Sequence, residues 1–161
     1  MITGRSELNV LVVDDEPQIR ELVAQCLAII GASVTVADSA RAAIKEVERV
    51  RPDIILLDLI MPGRDGFDFL NDLHELGPSR GADTPVVVVT GQRNSDVEAQ
   101  IRAAGFGYLA KPFTPLALFD SIAESLDQPV PADRRLPALA ILTQPVPASP
   151  PSSLTDAPTS H

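Results

Sequence analysis

Residues 54–66 read Ile54-Ile55-Leu56-Leu57-Asp58-Leu59-Ile60-Met61-Pro62-Gly63-Arg64-Asp65-Gly66. Four apolar residues in a row show no alternation of apolar and polar positions. The run therefore reads as a short buried strand that stops at a carboxylate. The loop from Met61 to Gly66 leads into a helix predicted around Phe67 to Leu76. The same alternation of strand and helix extends in both directions. Upstream, Val10-Leu11-Val12-Val13 is a strand halted by Asp14-Asp15. It is followed by a helical stripe of Ile19, Leu22, Val23, Cys26, Leu27 and Ile30, with Pro17 in the first turn and Gly31 at the stop. Val34-Thr35-Val36 is a second strand, and Ser39 caps a helix that turns Ala40, Ala43, Ile44 and Val47 inward. Downstream, Pro85-Val86-Val87-Val88-Val89-Thr90 is a β-branched strand buried on both faces. Ser95-x-x-Glu98 reads as a capping box for a fourth helix, which Gly105 closes. Gly107 to Ala110 form a fifth strand. Thr114-Pro115 opens a last helix, with Leu116, Phe119, Ile122 and Leu126 expected to face inward.

Five strands alternating with five helices through short loops require right-handed crossovers and a parallel sheet covered on both faces. The expected fold is α/β, a flavodoxin-like doubly wound (βα)5 unit with strand order 2-1-3-4-5. It spans residues 1–127. Residues 128–161 hold eight prolines and no glycine. That composition predicts a proline-rich, disordered tail. Its one apolar island, from Arg134 to Leu142, is either a sticky spot, a docking motif or a segment that folds back onto the domain.

The chain has 161 residues and a formal net charge of −9, and the whole excess lies in residues 1–127, with 11 basic and 20 acidic side chains. An acidic domain without a basic run is a poor partner for nucleic acid, which needs clustered Lys and Arg. The single cysteine, Cys26, excludes an internal disulfide and a cysteine-based zinc site. No apolar run approaches the ~20 residues of a membrane span. A cytoplasmic protein is the expectation.

In an open parallel sheet, ligands collect beyond the carboxyl ends of the strands. At those ends stand Asp14 and Asp15, Asp58, Thr90 and Lys111. Taken singly, each has a structural explanation: Asp15 as a helix cap, Thr90 as a loop hydroxyl, Lys111 as a solvated charge. Their joint placement at four strand ends is harder to explain that way. Three carboxylates ~5 Å apart repel at about 3 kcal/mol per pair for an effective dielectric near 20. Lys111 offsets part of this, and a hard divalent cation with oxygen ligands, Mg²⁺, is the natural second cation. Such a site suits a tetrahedral anion, with Asp58 as a nucleophile toward phosphorus and Thr90 as a hydroxyl donor to the transferred group.

These residues make the chain resemble the receiver domain of bacterial two-component response regulators over residues 8–127. The resemblance lies in Val10 to Glu16, Leu56 to Gly66, Val88-Val89-Thr90-Gly91 and Gly107-Tyr108-Leu109-Ala110-Lys111-Pro112-Phe113, four blocks in order. It implies that Asp58 is the phospho-acceptor. It also implies that Asp15, Asp58 and the Ile60 backbone carbonyl bind Mg²⁺ directly, with Asp14 acting through water and Lys111 pairing with the phosphoryl group. Thr90 and Tyr108 would form a switch, Thr90 moving toward the phosphate and Tyr108 turning inward. Ile60, two residues past the acceptor, offers no polar group to orient water, which points to slow hydrolysis.

The expected function is that of a phosphorylation-dependent signalling switch. A histidine kinase or histidine phosphotransfer protein would be the donor, docking near the first helix (Ile19 and Leu22) and the Pro112-Phe113 loop. The output would pass through contacts with a downstream protein whose identity the sequence leaves open. No DNA-binding or catalytic output domain is expected, nor an enzyme acting on anything but its own phosphoryl group. The fourth and fifth helices lack regular charge pairs, so a monomer or a weak phosphorylation-dependent dimer is expected. The alternative is a protein-binding module on the same fold that never uses phosphate. A haloacid dehalogenase-type phosphatase needs a second Asp where Ile60 stands, and no Gly-x4-Gly-Lys-Ser/Thr loop is present for a nucleotidase.

Overall fold

The computed structural model describes residues 7–91, 94–132, 134 and 136. The strands are β1 (Asn9–Val13), β2 (Ser33–Ala37), β3 (Ile54–Asp58), β4 (Val86–Thr90) and β5 (Gly107–Ala110). The helices are α1 (Pro17–Ile29), α2 (Ala40–Val50), α3 (Asp65–Leu76), α4 (Ser95–Ala103) and α5 (Pro115–Leu126). All strands pair in parallel, in the order β2-β1-β3-β4-β5. This is the doubly wound fold expected from the alternation of elements.

The sheet separates two apolar layers. On one face Leu11, Val13, Ile55, Leu57, Val86 and Val88 pack against α2, α3 and α4. On the other, Val10, Val12, Ile54, Leu56, Val87 and Val89 meet α1 and α5. Every residue of β3 and β4 is buried, which is why both read as continuous apolar runs. Each fully buried Leu or Ile contributes about 2 kcal/mol.

The caps follow local chemistry with one shift. Ser39 Oγ accepts from the Ala42 N–H and Thr114 Oγ1 from the Ala117 N–H, as expected. For α4 the cap is Asn94, not Ser95: its Oδ1 accepts from the Asp96 and Val97 N–H groups. Asparagine caps as well as serine, so the pattern left the choice between neighbours to the backbone. Helix α3 starts two residues before the expected Phe67, because Asp65 and Gly66 already lie in its first turn. Asp65 Oδ2 accepts from the Ala40 N–H at 2.5 Å, tying α3 to the first turn of α2.

Two apolar stripes are narrower than expected. In α5 the buried residues are Leu118 and Ile122, while Leu116 is 67% exposed. In α1 they are Val23, Cys26 and Leu27, and Leu22 and Ile30 face solvent. A helix against a twisted sheet buries a stripe about one side chain wide on either side of its contact line, so the ends of a wide apolar face stay wet. Packing also continues beyond α5: Arg134 is buried and Leu136 lies against the α2–α4 layer. Residues 137–161, most of the expected tail, lie outside the described residues.

Candidate functional site

Asp14 directly follows β1. Its N–H donates to the Ala37 carbonyl at 3.1 Å, continuing the sheet ladder by one residue. Its carbonyl accepts from Arg20 Nη1 at 2.7 Å, and its Oδ1 from the Glu16 N–H at 2.8 Å. Asp58 is the last residue of β3, and its Oδ1 accepts from the Ile60 N–H at 3.1 Å. Both carboxylates are buried. Thr90, also buried, ends β4, and its carbonyl accepts from the Lys111 N–H at 2.8 Å. That bond extends the β4–β5 pairing and aims the lysine across the end of β3. Lys111 Nζ lies 3.0 Å from Asp14 Oδ2, 2.9 Å from Glu16 Oε1 and 3.4 Å from Asp58 Oδ2.

The structure thus brings Asp14, Asp58 and Lys111 together at the strand ends, with Thr90 alongside in the sheet. It adds a residue that the sequence reading did not place in the site. Carboxylate oxygens of Asp14, Glu16 and Asp58 lie within 4.8 Å of one another. Glu16, at the N-cap of α1, makes no side-chain capping bond and reaches Lys111 instead. Asp15, half-buried, is outside that trio. The run Asp14-Asp15-Glu16 carried the signal, but which of its last two carboxylates turns inward depends on how α1 leaves the strand. Ile60 is 40% exposed. Tyr108 on β5 is half-buried against the α2–α4 layer, and the Arg102 guanidinium lies 6.0 Å from its ring centre, a weak cation–π contact.

One ammonium cannot offset three carboxylates. Burial pushes the Asp58 carboxyl up to about 6, with the Asp14 charge adding to it and Lys111 opposing. Burial likewise raises Asp14, against its bond from the Glu16 N–H and its contact with Lys111. Burial alone would lower the Lys111 ammonium, but the Glu16 hydrogen bond and the charges of Asp58 and Asp14 more than compensate and raise it. Fully ionised, the carboxylates exceed the lysine by two charges. This excess, carried on hard oxygens, fits a divalent cation such as Mg²⁺.

Lys111→Met keeps most of the side-chain volume and removes the charge. It is expected to lower stability by about 2 kcal/mol at pH 8, because it leaves buried carboxylates unpaired. The loss should shrink at pH 5, where Asp58 takes up a proton. Urea unfolding at the two pH values checks this, and equal losses at both would assign the effect to stem packing instead of charge.

The response regulator receiver domain family matches residues 10–123. The chain is 33% identical over 123 residues to the C4-dicarboxylate transport transcriptional regulatory protein DctD of Pseudomonas aeruginosa, a match covering 76% of this chain and 26% of that protein. The chain therefore spans about a quarter of that relative's length. Among solved structures, the chemotaxis protein CheY4 of Vibrio cholerae superposes with a TM-score of 0.67 at 30% identity, over 74% of this chain and 99% of that one. The receiver domain of the sensor histidine kinase PA1611 of P. aeruginosa, solved with a magnesium ion coordinated in its active site cleft, gives 0.66 at 25% identity, over 76% and 100%.

Proposed function

The chain belongs to the response regulator receiver domain family, and on that premise we propose that it is a phosphorylation-dependent signalling switch with Asp58 as the acceptor. Receiver domains of two-component systems take phosphoryl groups from histidine kinases. Here the donor is a phosphohistidine of a kinase or a histidine phosphotransfer protein. An Asp58 carboxylate oxygen attacks phosphorus, the bond from phosphorus to the imidazole nitrogen breaks, and its electron pair returns to the leaving histidine. Lys111 Nζ holds charge on the phosphoryl oxygens, and the Thr90 hydroxyl donates to one of them after transfer. Mg²⁺, when bound, offsets further charge on the phosphoryl group. Asp15, Asp58 and the Ile60 backbone carbonyl are its proposed direct ligands, with Asp14 acting through water. The PA1611 receiver, with a magnesium ion coordinated in its active site cleft, supports a magnesium site here without identifying its ligands.

The observation that carries the reading is the convergence of Lys111 Nζ on Asp58, Asp14 and Glu16 from a distant strand end. A cluster with surplus negative charge, reached from solvent at the exposed Glu16 side chain, is useful where charge is to be exchanged for phosphate and cation. Thr90 and Tyr108 are the proposed switch. New charge-assisted hydrogen bonds at Thr90 would bias β5 between two positions of Tyr108, altering the surface that a downstream protein reads. Incubation of the full chain with acetyl phosphate and Mg²⁺ tests the chemistry by intact mass. The expected result is an adduct of one phosphoryl group. Its absence would favour the phosphorylation-independent binding module.

A further inference from the structure

Beyond α5 the chain does not leave the domain at once. Pro131 seats on Gly105, where an added Cβ would lie 2.6 Å from the proline ring. Arg134 then passes over the N-terminal edge of the sheet, with its guanidinium 5.2 Å from the centre of the Phe106 ring. Its Nη2 donates to the Ala82 carbonyl at 2.6 Å, just ahead of β4. Leu136 reaches the α2–α4 layer, on the face of the sheet opposite α5. Ala132 and Arg134 face Leu70, Leu73 and Phe106.

We infer that residues 128–132, with Arg134 and Leu136, form a releasable strap, pinned by Arg134, that covers an apolar surface formed by Leu70, Leu73 and Phe106. Three features make it releasable. Pro129 and Pro131 have no N–H with which to join a ladder. A cavity of about 400 Å³, lined by Pro85, Phe106, Glu124, Pro129 and Pro131 among others, lies beneath its first half. Arg134 Nη1 is buried and has no hydrogen-bond partner among the described residues, so the closed position leaves a charged donor unsatisfied. Burial accordingly pulls the Arg134 guanidinium down to about 10, with Asp83 opposing. The closed strap is thus held by stacking, one hydrogen bond and apolar contact, against the cost of that donor. On release it presents an apolar surface at the end of the sheet remote from Asp58.

Hydrogen exchange on the full-length protein tests the strap. The Gly105 and Phe106 N–H groups donate to the Arg102 and Ile101 carbonyls directly beneath it. In Arg134→Ala, peptides covering residues 104–107 and 128–132 are expected to exchange roughly tenfold faster, with β1–β3 unchanged, as a local opening requires. In Arg134→Met, which fills the same channel without an orphaned donor, exchange there is expected to be slower than in the wild type. Wild-type rates in Arg134→Ala would overturn the assignment of the pin. Faster exchange throughout β1–β3 would show that the segment is no separate unit. Arg134→Met exchanging as fast as Arg134→Ala would overturn the orphaned donor as the cause of release.

Discussion

Asp58→Asn is expected to stabilise the domain at neutral pH while abolishing phosphoryl uptake from acetyl phosphate. The Asp58 carboxyl titrates near 6 in the folded protein against 3.8 for the unperturbed group, chiefly through burial. Between those values the folded state binds a proton that the unfolded state has lost. The ionised form therefore costs stability, fully above the folded value, and the cost is relieved as pH falls through 6 toward 4. After allowance for solvent screening, the penalty is about 2 kcal/mol at pH 7. The amide is isosteric, carries no charge, and leaves Lys111 with Asp14 and Glu16. Thermal or urea unfolding should show the variant more stable than the wild type at pH 7, with the two converging near pH 4. A variant less stable at pH 7 would mean that the Lys111–Asp58 pair outweighs the burial penalty. The phosphoryl adduct, read by intact mass, should vanish at every pH, and its persistence would move the acceptor elsewhere.

Gly66→Ala is expected to be the most damaging single-methyl change in the domain, costing at least about 3 kcal/mol. A Cβ at Gly66 would lie 2.6 Å from the Leu59 Cα and 2.7 Å from the Asp58 carbonyl oxygen, and closer still to the Leu59 carbonyl oxygen. These are backbone atoms at the exit of a fully buried strand and cannot rotate away. The first turn of α3 would have to lift, carrying Asp65 away from the Ala40 N–H that it caps. The same loop holds the Ile60 N–H against Asp58, so phosphoryl uptake should slow as stability falls. An unfolding free energy in urea within about 1 kcal/mol of the wild type would show that α3 can shift freely over the loop, contrary to the packing.

The order of the elements was legible because burial on both faces leaves a clear trace: β3 and β4 are runs of Ile, Leu and Val whose only polar residue is the last. Asp14, Asp58, Thr90 and Lys111 were legible for a related reason, since each stands where an apolar run stops. The helix faces were less so. Leu116 and Ile30 fit an apolar period yet face solvent, because periodicity says which residues share a side and not how wide the contact is. Gly66 could be seen in the sequence only as part of a loop. Its absent side chain is what lets α3 sit on the backbone of Leu59.

The strands could be placed from local order alone, because hydrophobic patterning and caps act between near neighbours along the chain. Tertiary structure alone decided that Glu16, instead of Asp15, turns to the lysine, and that Arg134 closes over Phe106. Glu16 and Lys111 are 95 residues apart, and Arg134 and Ala82 are 52. No local preference distinguishes one acidic residue ahead of a helix from the next, or tells a proline-rich segment which edge of a sheet to cross. Those choices are made by charges and rings that become neighbours only when the sheet is complete.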